Sequence, residues 1–254
     1  MITRRRPRVL RYLCLLALLC GIVPLAATPA QQGQTPRAQQ HGRLFAPTDL
    51  GLLEAPDRDL WQRPDRIMDV LGVADASVVA DVGAGSGWFT VRLARRVGPN
   101  GVVYAQDVQK EMLASISRRV QREGLTNVQP VLGEGSDPRL PPRARGKLDA
   151  ILIVGVYHEI DDRITMLKNL AEALKPQGRI GVIDFTLKGG GPGPPMEERV
   201  DPQVVIGDAT SAKLKLLSQE SFLPYQYFLV FAKQAKTTDA NEPRTKNNEL
   251  RTKN

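Results

Sequence analysis

Four short runs in this chain gather residue types that can do chemistry. The first joins an apolar stretch to an acid, Asp81, and then to Gly83, Gly85 and Gly87 before a segment of helical spacing opens at Trp88. That order predicts a strand, a tight turn and a helix start. Glycines allow the turn and let a ligand lie against bare backbone at a helix N-terminus, where unpaired N–H groups favour an anionic group. The third glycine of a dinucleotide fingerprint, G-x-G-x-x-G, would fall on Trp88, which argues against a dinucleotide. The second run ends a later apolar stretch in Asp107 and Val108. It lies roughly 20 residues past the turn, the distance at which an acid accepts hydrogen bonds from ribose hydroxyls. The third, Gly133-Glu134-Gly135-Ser136-Asp137, offers two candidate acids, Glu134 and Asp137, or only a polar surface loop.

The fourth run, Tyr157-His158-Glu159, follows the most apolar stretch of the chain outside its N-terminus, residues 148–154. An imidazole takes up a proton near neutral pH, so His158 is a candidate general base. Glu159 is a second candidate if burial raises its pKa, or it orients His158. Tyr157 is a candidate pocket residue. The same three residues would also serve to cap the next helix and pack beneath a ligand. Asp184, after a fifth apolar run, is either a further polar contact or a strand-end acid. Trp61 and Arg63 are placed to cover a ligand from the N-terminal side. No grouping has metal-ligand spacing, and no metal is expected.

These runs need a scaffold that brings strand ends together. Apolar runs at 78–81, 102–105, 128–132, 148–154 and 179–184 predict five strands. Segments of helical spacing at 64–71, 88–97, 110–123 and 163–174 alternate with them. A short helix over 201–209 and strands at 213–217 and 225–232 follow, the strands closing as an antiparallel hairpin. Such alternation predicts an α/β fold with a parallel sheet covered by helices on both faces, binding ligands beyond the C-terminal strand ends. The Gly/Pro run at 189–195 is a candidate lid.

The ends of the chain read differently. Residues 1–12 carry five arginines and no acid, residues 13–27 are almost wholly apolar, and small residues follow. This is the pattern of a secretory signal, or of an N-terminal anchor, over residues 1–30. The expected location is therefore export, periplasmic or extracellular, or membrane anchoring; a cytoplasmic enzyme with a misassigned start is the alternative. Both cysteines, Cys14 and Cys20, fall in this segment, which leaves no disulfide or thiolate chemistry for the rest. Residues 31–59 read as a flexible linker, 60–233 as the single folded domain and 234–254 as a disordered tail. The net charge of +8 is misleading. Residues 1–30 supply five basic residues, and 233–254 supply six basic against three acidic ones, so the stretch between is balanced. No nucleic-acid surface is expected from it.

The run D-x-G-x-G-x-G at Asp81–Gly87 resembles the first motif of the class I S-adenosylmethionine (SAM) methyltransferases. The order of the other motifs is similar as well. Val102-Val103-Tyr104-Ala105-Gln106-Asp107-Val108, Glu111-Met112-Leu113 and Leu174-Lys175-Pro176-Gln177-Gly178 resemble the quinone-type and related small-molecule members, and the C-terminal 222–231 run resembles an exported bacterial group. The resemblance covers about residues 60–232. It implies a Rossmann-like fold with a seven-stranded, mostly parallel sheet whose last strand inserts before its hairpin partner. It implies SAM as cofactor, with Asp81, Gly83, Gly85, Gly87, Asp107, Val108, Glu134 and Asp137 around it, Glu134 standing where the family often has Asp. It implies transfer of a methyl group to a small-molecule acceptor near His158, Glu159 and Tyr157. Two other readings stay open: an isoaspartyl-type protein carboxyl methyltransferase, suggested by 98–104 with Asn127-Val128, and a non-catalytic SAM-fold binding protein. The acceptor, the need for a base and the oligomeric state are not fixed by the sequence.

Overall fold

A computed structural model describes residues 44–234. The expected signal or anchor at 1–30, the first part of the expected linker, and the tail from 235 onward lie outside the described residues. The described elements are α1 (Arg58–Gln62), α2 (Pro64–Val70), β1 (Val78–Val82), α3 (Trp88–Val97), β2 (Val102–Asp107), α4 (Lys110–Arg122), β3 (Val128–Leu132), β4 (Leu148–Val154), α5 (Arg163–Ala173), β5 (Leu174–Phe185), α6 (Pro202–Ser211), β6 (Leu214–Glu220) and β7 (Gln226–Lys233).

The strands form one seven-stranded sheet in the order β3-β2-β1-β4-β5-β7-β6. The first five are parallel, and β7 runs antiparallel between β5 and β6. The strand alternation explains why the central runs are apolar throughout. Ala80, Val82, Ile151 and Ile153 enter one core with Leu167 and Leu170 of α5. Val79, Ala150 and Leu152 enter the other with Ile67 of α2 and Leu93 of α3. A strand covered on both faces has no polar side to show.

The chain reverses order at β1, so the carboxyl ends of β1, β2 and β4 open onto one crevice, the place where such sheets bind ligands. The domain also begins earlier than the sequence predicts. Residues 44–59 are not a linker over their length: a 3-10 helix spans Pro47–Glu54 and α1 starts at Arg58. The 3-10 helix has almost no amphipathic stripe and α1 is only five residues long, so neither leaves the periodic signal that marks an element. Ion pairs fix this segment instead: Arg92 grips Asp59 with both carboxylate oxygens at 2.7 and 2.9 Å, and Arg119 holds Glu54 at 2.6 Å.

Candidate functional site

The glycine turn is built by backbone demand. Gly83, Gly85 and Gly87 all have positive φ, at 68°, 55° and 79°, where other L-residues are strained. Their surroundings differ. A β-carbon on Gly83 would strike Val156 at 2.6 Å, and one on Gly87 would press on Ile116 of α4 at 3.1 Å. Gly85 faces Leu53 of the 3-10 helix. Gly83 and Gly85 line a cavity of about 440 Å³ and Gly87 does not; its role is to let α3 pack close to α4. The amides of the turn are also less free than expected. Gly83 donates to the Gln106 side chain at 3.3 Å, Ala84 to the Gln106 carbonyl at 2.9 Å and Gly85 to Asp107 Oδ2 at 2.9 Å.

Asp81, Asp107, Val108 and Glu134 all line this cavity. Asp81 is buried and accepts a 2.7 Å hydrogen bond from Thr90. Burial raises its pKa to about 6, against the lowering effects of Thr90 and of Arg58 nearby. Asp107 is raised by burial too, opposed by backbone donors that include Gln109 and Gly85. A carboxylate has about four acceptor sites, so those two bonds leave capacity for ligand hydroxyls. Glu134 pairs with Arg139. Asp137 departs from the expectation. It lines a separate cavity beneath Pro141 and Arg145, and its carbonyl and carboxylate accept from the Glu134 and Arg139 amides. It shapes the loop that presents Glu134.

Of Tyr157, His158 and Glu159, only Glu159 lines the cavity. Tyr157 is fully buried behind the wall and donates to Asp208 of α6 at 2.9 Å, so its expected place in the pocket is corrected to a packing role. His158 sits one layer behind Glu159. Its Nδ1 is 3.1 Å from Asp184 Oδ2, and its backbone N–H reaches the same oxygen at 3.2 Å. A carboxylate only accepts, so Nδ1 carries a proton and Nε2 faces Glu159 Oε1, 3.7 Å away. Neutral Nε2 and an ionised Glu159 would present two acceptors to each other; one proton between them removes the conflict. Burial alone pushes His158 down, but Asp184 and Glu159 outweigh it and its pKa is raised. Burial raises Glu159 to about 7.

Several lining residues lay outside the sequence reading. Phe45 bridges the mouth: its N–H donates to Glu159 Oε2 at 3.4 Å and its carbonyl accepts from the Gln109 side chain at 3.0 Å. Leu53 and Arg58 form another part of the wall. Trp61 and Arg63 do not: Trp61 meets Tyr225 edge-on at 5.9 Å, and Arg63 is an exposed hinge at φ 47° between α1 and α2. The expected lid at 189–195 lines no part of the cavity and is tied down, with Gly193 against the Phe185 ring and Arg199 bonding the Pro194 and Thr186 carbonyls. The covering element is 44–58. Gln106, beside Asp107 in the sequence, was findable from its place at a strand end; Arg58 was hidden by the linker reading.

Sheet order, inserted last strand and crevice together define the class I methyltransferase architecture. Residues 79–178 match the methyltransferase domain family. A SAM-dependent methyltransferase from Aquifex aeolicus is 27% identical in sequence and superposes with a TM-score of 0.69, covering 74% of this chain and 98% of that one. Among curated proteins, the ubiquinone/menaquinone biosynthesis C-methyltransferase of Pasteurella multocida is 30% identical over 50% of this chain and 46% of its own length. Nocamycin O-methyltransferase of Saccharothrix syringae is 28% identical over 51% and 43% respectively. The chain thus spans about half the length of the curated relatives it matches. Residues 79–178 are thus similar to a methyltransferase domain, set in a fold similar to that of a SAM-dependent methyltransferase.

Proposed function

We propose that the protein transfers a methyl group from SAM to a small-molecule acceptor. The observation that carries this reading is the order of groups along one cavity, set by the strand order. Glu134 follows β3, Asp107 ends β2, Asp81 and the glycine turn end β1, and Glu159 follows β4. These fit, in turn, an adenine amino group, ribose hydroxyls, the ammonium of an amino acid, and a reacting end. Ser86 fits as well: its Oγ is buried in the cavity wall with no hydrogen-bond partner among the described residues. When bound, SAM supplies an electrophilic methyl group on a sulfonium.

The chain's own contribution is alignment and exclusion of water, which such a transfer mainly needs. Phe45, Ile160 and Met166 give the reacting end an apolar wall. For an acceptor with an O–H or N–H nucleophile, that bond breaks and its proton passes to a Glu159 carboxylate oxygen. A carboxylate acceptor, as in the isoaspartyl reading, is disfavoured. Among the described residues, Asp81, Asp107 and Glu159 line the cavity with one lining cation, Arg58, so an anionic nucleophile meets like charge there. The names of the menaquinone and nocamycin relatives support a small acceptor. The basic and apolar N-terminal segment supports a working place at or beyond a membrane, tested by the mature N-terminus and fractionation of the native protein.

The reading is tested by incubating the full chain with methyl-labelled SAM and fractionated cell extract. Label is expected in a small-molecule fraction. Label confined to protein would favour the carboxyl methyltransferase, and SAM binding with no transfer would favour a non-catalytic binding protein.

A further inference from the structure

Arg58 is the first residue of α1, and its side chain reaches into the cavity wall. Its guanidinium lies over the Trp88 indole, 4.2 Å from the ring centroid, at the residue that opens α3 after the glycine turn. Nε donates to the Gln62 side-chain oxygen, and a terminal nitrogen donates to the Leu53 carbonyl. Gln62 is itself buried and fixed by a 2.8 Å bond to buried Gln226 of β7. The guanidinium is thus held in place from three sides, by neutral groups only.

Among the described residues no carboxylate comes within ion-pair distance of Arg58, whereas Arg92, Arg95, Arg96 and Arg119 each have one. Surface pairs of that kind contribute little, and a withdrawn cation without a partner costs much more. Burial lowers Arg58 to about 10, with Asp81 the leading opposing influence. Asp81 lines the same cavity, so one end of it presents a carboxylate and a guanidinium. That pair matches a zwitterion, the ammonium on Asp81 and the carboxylate on Arg58. The turn amides expected to receive a carboxylate are in part used already, by Gln106 and Asp107.

We propose that Arg58 binds the carboxylate at the amino-acid end of the cofactor and so makes the site select the complete molecule over its adenosine portion. The proposal rests on the SAM reading of the cavity. It also ties cofactor binding to the 44–58 cover, since the guanidinium that takes the carboxylate holds the Leu53 carbonyl of the 3-10 helix. A planar fork suits a carboxylate, and lysine would not replace it fully.

The test is calorimetry on the full chain with two ligands, S-adenosylhomocysteine and 5′-methylthioadenosine, which shares the adenosine and thioether but lacks the amino acid. Arg58→Ala is expected to weaken S-adenosylhomocysteine by about 10- to 100-fold, the range for hydrogen bonds to a charged group. Methylthioadenosine should stay within about twofold, by the same arithmetic. Arg58→Gln, which keeps a stem over Trp88, should show the same selective loss, and its thermal melt separates binding from folding. Equal losses for both ligands would make Arg58 a structural residue, and no loss for either would remove it from the site; both overturn the proposal. Wild-type protein that binds neither ligand would overturn the SAM reading itself, and the proposal with it.

Discussion

At the scale of single residues, Glu159 holds the chemical interest, because it alone of the Tyr157-His158-Glu159 run faces the cavity. The order Asp184–His158–Glu159 runs inward from buried core to cavity wall, and each member sets the next. The His158 cation lowers Glu159 against the larger effect of burial. Removing it in His158→Asn should move the Glu159 midpoint upward from about 7, followed by carboxyl-carbon NMR on the full chain. An unmoved midpoint would disconnect the two groups. The same burial has a stability cost. Glu159 titrates at about 7 in the folded state against an ordinary 4.5, so ionising it costs nothing below that lower value and the full amount above pH 7. Glu159→Gln should therefore raise the melting temperature relative to wild type at pH 8 and bring little gain at pH 4. Asp81 gives a binding counterpart: in the proposed site its ionised carboxylate receives the cofactor's ammonium, so S-adenosylhomocysteine affinity should fall as pH drops through about 6. The residues themselves were legible in the sequence as strand-end polar groups; which of three neighbours would face the cavity was not. That depends on the register of a single 3-10 turn, Tyr157–Glu159, and on a partner, Asp184, distant in the chain.

At the scale of elements, the turn and the cover are two halves of one site. Gly85 meets Leu53 across the cavity, so a side chain there would fill the gap between them and distort a left-handed backbone. Gly85→Asp should abolish cofactor binding in calorimetry, while unchanged affinity would mean the ligand lies elsewhere. The strand-turn-helix unit was readable because its glycines and apolar period are local. The 44–58 cover was not, because what orders it is distant: Asp59 with Arg92, Glu54 with Arg119, and Phe45 with Gln109 and Glu159. Such contacts leave no period in the sequence. The Gly/Pro run shows the reverse error: its composition reads as a free lid, yet Gly191 and Gly193 are needed for close packing on Tyr225 and Phe185.

At the scale of the whole molecule, the sheet concentrates stability at its centre and function at one end of it. Ile151 on β4 is fully buried between neighbours on both sides, whereas Leu216 sits exposed on the edge strand β6. Ile151→Ala should cost about 2–5 kcal/mol in urea unfolding, and Leu216→Ala within about 0.5 kcal/mol. The parallel order of the first five strands followed from alternation of apolar runs and helices. The insertion of β7 between β5 and β6 did not, and came only with the family resemblance, since a hairpin at the chain end is compatible with either order of its two strands. The same architecture makes the central claim simple to test, because the charged groups of β1, β2 and the 133–135 loop line one cavity and the proposal gives them one common occupant. Calorimetry of the full chain with SAM and S-adenosylhomocysteine should show saturable binding of both at one site per chain; no binding of either would contradict the account.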